Sequence, residues 1–240
     1  MKIKNALLIF SLFAAIRALA VEPELSVFPF DGMLQVAVNG NTKASSPNVE
    51  YAKVGNIETA KICDKWLGTT PPPPGLNNIT LCGTLKISGQ NGIVRIISYG
   101  AGNLITPGYR LSAEVVDGEY KLRLLMVGNA GVERPDNVNN YCIIFSKKHI
   151  SCGEWIFFSV VMNRAENAEI FVNGEPVGSG PIKALKDDDL SKPDLTILSD
   201  LEVAGDISME FAKIEAYYSL FSSVELEALN EKGLEILKAK

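Results

Sequence analysis

Histidine is almost missing from this chain: His149 is the only one among 240 residues. A Ser-His-Asp or Cys-His nucleophile, or a metal centre with several imidazole ligands, would have to be built around that one ring. Close to Cys152 and Trp155, it reads as a packed or surface residue. An excess of positive charge is missing too. The 23 Lys and Arg face 28 Asp and Glu, a formal charge of −5. The basic footprint of nucleic-acid binding is therefore absent, and no nucleic-acid partner is expected. Zinc-ribbon C-x-x-C pairs are also lacking, since Cys63, Cys82, Cys142 and Cys152 lie 19, 60 and 10 residues apart. Beyond the N-terminus no apolar run nears the roughly twenty residues a membrane helix needs, so no transmembrane segment is expected. There is no internal repeat and no convincing domain boundary.

What is present is an ordinary globular composition, 47% hydrophobic and 21% charged, which excludes disordered, collagen-like and coiled-coil classes. The first twenty residues read as targeting. Lys2 and Lys4 precede an eleven-residue apolar run, Ala6 to Ile16, and Ala18-Leu19-Ala20 is a small-x-small cleavage site. Residues 1–20 are expected to be a signal peptide cut after Ala20, leaving residues 21–240 as a single secreted, extracellular domain. That mature chain keeps 20 basic against 28 acidic residues, a charge of −8. In an oxidising compartment an even cysteine count predicts two disulfides, with three pairings open. Asn78-Ile79-Thr80 is a glycosylation sequon, so the domain is a candidate glycoprotein at Asn78.

The patterning is that of strands. Residues 155–163 are an apolar run of strand length, buried on both faces. Asn173-Gly174 and Asp117-Gly118 each separate two strand-like runs, the strongest short hairpin signal because both turn residues tolerate positive φ. Residues 80–87, 93–99, 195–198 and 208–218 read as further short strands, and four prolines at 71–74 as a stiff loop. Residues 21–75 read as partly irregular. Ser222-Ser223-Val224-Glu225 has the form of a capping box, and Leu226, Leu229, Gly233 and Leu237 share one helical face. The expectation is an all-β sandwich with one C-terminal helix over about 223–237.

The order of motifs carries a resemblance. Glu154 to Val161 followed by Ile170-Phe171-Val172-Asn173-Gly174 resembles the tryptophan-strand and N-G signature of laminin-G-like and pentraxin jelly rolls of the concanavalin A-like class. Gly205-Asp206-Ile207, Ile214 to Tyr218 and Ser222 to Leu229 are similar to the strands and helix start that follow it. Asn78 to Cys82, Ile96 to Tyr99, and His149 to Trp155 resemble pentraxin motifs, although His149-Ile150-Ser151-Cys152 has one extra residue and Glu154 replaces Ser or Thr. The resemblance implies a two-sheet jelly roll with a Cys82–Cys152 core disulfide, which would leave Cys63 to pair with Cys142. Trp155, which opens the most apolar strand of the chain and closely follows Cys152, is expected to be a core anchor and not a ligand contact.

Pentraxins hold calcium in two acidic loops. Here only Asn103, Asp200 and Glu202 stand at the corresponding places, too few for a two-ion site given calcium's six to eight oxygen ligands. The expected cofactor is none, or weakly held calcium. Asp187-Asp188-Asp189 reads as a solvated loop. The E-x-D-x-x-E string of retaining jelly-roll glycosidases is absent, so no enzyme is expected. The resemblance thus implies a non-catalytic, lectin-like module for glycan or phosphate-bearing lipid or polysaccharide ligands, with a homo-oligomer compatible. An extracellular scaffold without small ligand, or a jelly-roll glycoside hydrolase, are the alternatives.

Overall fold

The computed structural model describes residues 22–23, 25–30, 33–38, 41–45, 49–62, 65–67, 77–100, 107–129, 140–190 and 200–238. Residues 1–20, where a signal peptide is expected, Cys63, the four prolines at 71–74, Asn103 and residues 195–198 lie outside them.

The two dipeptide turns form as the sequence predicts. Asp117 and Gly118 take φ of 53° and 77°, and Asn173 and Gly174 take 52° and 83°. Both residues of each turn thus sit in the left-handed region, whose twist matches that of a hairpin. The first turn joins β8 (Gly108–Val116) to β9 (Glu119–Val127), closing at Val116↔Glu119. The second joins β13 (Asn167–Val172) to β14 (Glu175–Pro181), closing at Val172↔Glu175. β12 (Trp155–Met162) alternates: Ile156, Phe158, Val160 and Met162 enter the main core, while Phe157 belongs to a separate cluster on the outer face.

Two long strands hold the layers together. Residues 80–87 and 93–99, expected as separate strands, are one strand, β7 (Ile79–Gly100), lying antiparallel to β15 (Asp200–Tyr217). The start of β7 pairs with β12, Ile79↔Met162 to Lys86↔Trp155, and its end pairs with β8, Gly92↔Val115 to Gly100↔Gly108. The change of layer falls at glycines. Gly89 has φ of 126°, and a Cβ there would stand 2.1 Å from the Asp206 carbonyl oxygen; a Cβ on Gly205 would stand 2.5 Å from that of Asn91. Only glycine allows the two backbones to approach so closely while the register shifts between Gly205 and Ile207. Sequence punctuation at these glycines suggested two strands because a bend and a break look alike locally.

Residues 21–75, expected to be partly irregular, supply six strands among their described residues: β1 (Leu25–Phe30), β2 (Met33–Val38), β3 (Asn41–Ser45), β4 (Glu50–Val54), β5 (Ile57–Ile62) and β6 (Lys65–Leu67). β1, β5 and β6 all pair with β15, while β2 and β3 extend the sheet from β1. One layer therefore runs β14-β13-β12-β7-β15-β1-β2-β3. The other runs from β10 (Tyr141–Phe145) through β9 and β8 to the far ends of β7 and β15, with the short β11 (Ile150–Ser151) also on β9. Between them Leu81, Leu85, Ile96, Tyr109, Leu122, Phe158 and Phe211 are fully buried. Each contributes about 1.5–3 kcal/mol relative to exposure. The all-β sandwich with one C-terminal helix is what the structure shows.

That helix, α1 (Ser223–Lys238), opens with the expected capping box. Ser222 N–H donates to Glu225 Oε2 at 2.8 Å, and Ser222 Oγ accepts from Glu225 N–H at 3.4 Å. α1 lies on the outer face of β12, where Leu226, Leu229 and Leu234 pack with Cys82, Phe157, Tyr217 and Phe221. No described helix is long and apolar enough to cross a membrane.

Trp155 departs from expectation. It shares the outer face with Phe157, is half-buried, and has Lys86 Nζ 5.1 Å from its ring centroid, with Lys86 in turn 2.5 Å from Glu210 Oε2. It is an outer-face residue under a lysine, and the core anchor one step along the strand is Ile156. The strand's apolar run masked its polarity, since both faces of β12 are covered.

Candidate functional site: a groove beside the C-terminal helix

The outer faces of β12 and β13 and the flank of α1 enclose a groove of about 670 Å³. Strand alternation delivers Ser159 and Val161 from β12, and Glu169 and Phe171 from β13. Helical spacing delivers Leu226, Glu227 and Asn230 on one flank of α1. Leu220 and Phe221 close one wall, with the Phe221 ring packed against Tyr217 at 4.8 Å between ring centroids and tilted 54° to it. The turns at each end of β13 complete the rim with Asn163, Glu166, Asn173 and Glu175.

Some of these polar groups are committed to the fold. Asn173 Oδ1 accepts Phe157 N–H at 2.8 Å, and Asn163 spans its own turn, donating to Glu166 Oε2 at 3.1 Å. Others are unspent. The Oδ1 of Asn230 is buried without a hydrogen-bond partner, and no described cation pairs with Glu169, Glu175 or Glu227. A floor of phenyl and leucine side chains ringed by amides and carboxylates can pack against the carbon face of a polar ligand while accepting hydrogen bonds from its hydroxyls. Beyond Glu169 and Glu175 the β13–β14 hairpin borders a more open recess containing Lys147 and Lys148.

The rim is anchored by a buried cation. Arg164, 3% exposed, sits in the turn between β12 and β13. Its N–H donates to Asn78 Oδ1 at 2.8 Å, and its guanidinium donates to the carbonyls of Leu185 at 2.7 Å and Asp188. Burial pulls its pKa down, and the opposing field of Asp188, Asp189 and Asp187 pushes it back up. The aspartate run is therefore not simply solvated as its sequence suggests. Asp188 is buried, and its Oδ1 accepts Asn129 N–H at 3.0 Å. Only the three-dimensional approach of Arg164 and residue 129 reveals this.

The sequence-predicted site residues lie elsewhere. Cys82 and Cys152 are both free thiols. Gly153 N–H donates to the Ile87 carbonyl, which places Cys152 beside Ile87, five residues along β7 from Cys82. At strand rise that is about 16 Å, against the roughly 4.4–6.8 Å between Cα atoms that a disulfide needs. The expected core bridge is therefore corrected. Burial, then the Glu215 carboxylate at 3.9 Å from its sulfur, raises the Cys82 pKa well above the ordinary thiol value, and burial raises that of Cys152. Both thiols are kept protonated and unreactive in the fold. Alkylation in denaturant without reductant is expected to label both; failure to label Cys82 would restore a disulfide. Cys142 is half-buried on β10, and its proposed partner Cys63 lies outside the described residues.

Asn78 is half-buried and acts as acceptor for Arg164, so it has a structural role whatever its Nδ2 carries. Thr80 of the same sequon is buried, its hydroxyl donating to Ser219 O at 2.9 Å. Of the calcium candidates, Asn103 is outside the described residues. Asp200 and Glu202 begin β15, where register sets Glu202 between Lys65 and Arg95. Among described residues no three acidic, cysteine or histidine side chains gather as metal ligands. His149 is an exposed residue whose Nδ1 lies 3.3 Å from Glu119 Oε2.

The groove itself was not found from sequence. Its only local signals were Glu169 and Phe171 at strand spacing, and Glu227 and Asn230 at helical spacing. Nothing local says that these two rows face each other.

No protein-family profile matches the chain, and no curated protein matches it in sequence. Solved structures do. The binding domain of botulinum neurotoxin serotype G superposes with a TM-score of 0.65 at 14% identity, over 88% of this chain and 51% of that one. The serotype D ligand binding domain in complex with N-acetylneuraminic acid gives 0.65 at 13%, over 88% and 50%. The binding domain of Paraclostridial Mosquitocidal Protein 1 gives 0.65 at 14%, over 88% and 52%. This chain thus spans about half the length of each. At such identities the likeness is one of fold, a sandwich shared with toxin binding domains, and it does not single out the pentraxin or laminin-G branch.

Proposed function

We propose that this chain is a secreted, non-catalytic, lectin-like recognition module that binds glycans in the groove between α1 and β13. The observation that carries this reading is the lining. Phe171 and Leu226 supply an apolar floor, and Asn167, Asn230 and the unpaired glutamates supply acceptors and donors for sugar hydroxyls. Similarity in fold to binding domains, one of them solved with a sugar acid, supports it. The acidic lining favours glycans over phosphate-bearing lipid heads, because phosphate would meet like charge. Export after Ala20 remains part of the proposal, checked by finding Val21 as the N-terminus of protein recovered outside the cell. Recognition is expected to survive chelation, because the groove's lining gathers no set of metal-ligating side chains among the described residues. Screening the full chain on an array of neutral, amino and sialylated oligosaccharides tests the whole reading. Binding that falls at least tenfold in Phe171→Ala and Asn167→Ala, is unchanged by chelator and releases no reducing sugar would support it. Binding unaffected by either substitution would move the site elsewhere.

A further inference from the structure

Exposed apolar side chains gather on one face of the sandwich. Six large ones stand exposed among the described residues, and four of them, Ile93, Val116, Ile143 and Phe145, belong to β7, β8 and β10. They alternate along their strands with the core residues Val94, Val115 and Ile144, so all four point outward from the layer opposite the groove. Their exposures run from 36% to 63%. Singly such residues need no explanation, but several on one sheet face mark an interaction surface.

The charges between them distinguish the partner. Register places Arg95, Ser112, Arg123 and Phe145 in one row across β7, β8, β9 and β10, and Ile93, Glu114 and Lys121 in the next. Arg123 is engaged within the chain, 2.7 Å from Glu114 Oε1 and 5.6 Å from the Phe145 ring centroid. No described carboxylate pairs with Lys121. An anionic lipid surface rewards positive charge alone, whereas this face mixes both signs on a chain whose formal charge is −5. A second copy of the chain suits both signs at once. Related by a two-fold axis running along the strands between β8 and β9, it would set its Lys121 against Glu114 and its Arg95 against the Phe145 ring. Symmetry then repeats each pair, and the two sheets lie aligned, as packed sheets do.

We propose that this outer face is where two copies of the chain meet, sheet against sheet, as an isologous dimer. The groove opens on the other layer, so both copies keep it uncovered.

Sedimentation velocity of the purified protein between about 1 and 100 μM tests this, and the parent is expected to pass from monomer to dimer in that range. Ile93→Lys and Val116→Lys, each replacing an exposed side chain, should weaken the dimer by at least about tenfold while leaving the melting temperature of the monomer unchanged. Glu114→Lys and Lys121→Glu should each weaken it as well. Combined, they should restore dimerisation, because the swap rebuilds both pairs between the copies; a merely structural role would add the two losses instead. A protein that stays monomeric throughout overturns the inference, as does a dimer indifferent to Ile93→Lys and Val116→Lys. A monomer that sediments with vesicles of phosphatidylserine and phosphatidylcholine would overturn it in favour of a lipid surface.

Discussion

Arg164→Met is expected to lower the unfolding free energy by about 3–5 kcal/mol, because it takes the guanidinium donor from the Asp188 carbonyl, leaves that of Leu185 with only the Asp188 N–H, and removes a buried cation from beside an acidic run. A buried carbonyl that loses its donor costs about 1–3 kcal/mol, and Met matches only the length of the side chain, not its hydrogen bonds. Asp188 would also lose the cation that faces it while remaining buried. In a chain of this size the melting temperature should fall by about 10 °C. Arg164→Lys keeps the charge but not the planar fork, so it should recover only part of the loss. A fall of less than about 3 °C for Arg164→Met would mean that water replaces the guanidinium without cost. The substitution also loosens the turn bearing Asn163 and Glu166, so groove binding should weaken with stability.

Gly233→Val is expected to cost about 3 kcal/mol and to detach the helix. A Cβ on Gly233 would stand 2.0 Å from a ring carbon of Phe157, so the helix or the ring has to move. Phe157 is buried, packed among Cys82, Tyr217 and Leu229, and has little room to yield. Gly233→Ala tests the same contact more gently. Its gain of about 1 kcal/mol in helix propensity opposes the clash. Combining it with Phe157→Leu, which withdraws the ring, should restore stability beyond the sum of the single changes. Helical circular dichroism of Gly233→Val should melt before the sheet signal. Because Leu226, Glu227 and Asn230 form one side of the groove, ligand binding should be lost with it. A Gly233→Val protein that melts in one step at the parent temperature would contradict the packing of α1.

The cysteines show how a sequence argument can be sound in its premises and fail in geometry. Export and an even count favour disulfides, and Cys82 and Cys152 do flank the apolar strand as the resemblance required. Antiparallel pairing of β12 with β7 then sets Cys82 opposite Ser159, and Cys152 three residues before the strand begins. The strand's own length separates the two sulfurs.

What the sequence by itself determined is what short-range physics determines. Asp117-Gly118 and Asn173-Gly174 can form the left-handed hairpin turns because of their own backbone preferences, and Ser222 with Glu225 caps α1 within a single turn of chain. Period-two alternation marked the strands, and their number and spacing gave the all-β sandwich. What only the tertiary structure decided depends on partners distant in sequence. Gly89 is a bend and not an end because Asp206 passes 2.1 Å from its missing Cβ. Asp188 is buried because Arg164 reaches it, and Gly233 is glycine because Phe157 lies beneath it. The groove exists because register turns Glu169 and Phe171 toward the flank of a helix more than fifty residues later. Local sequence carries propensity and period, whereas a site carries proximity, and proximity is fixed only when the strands have paired.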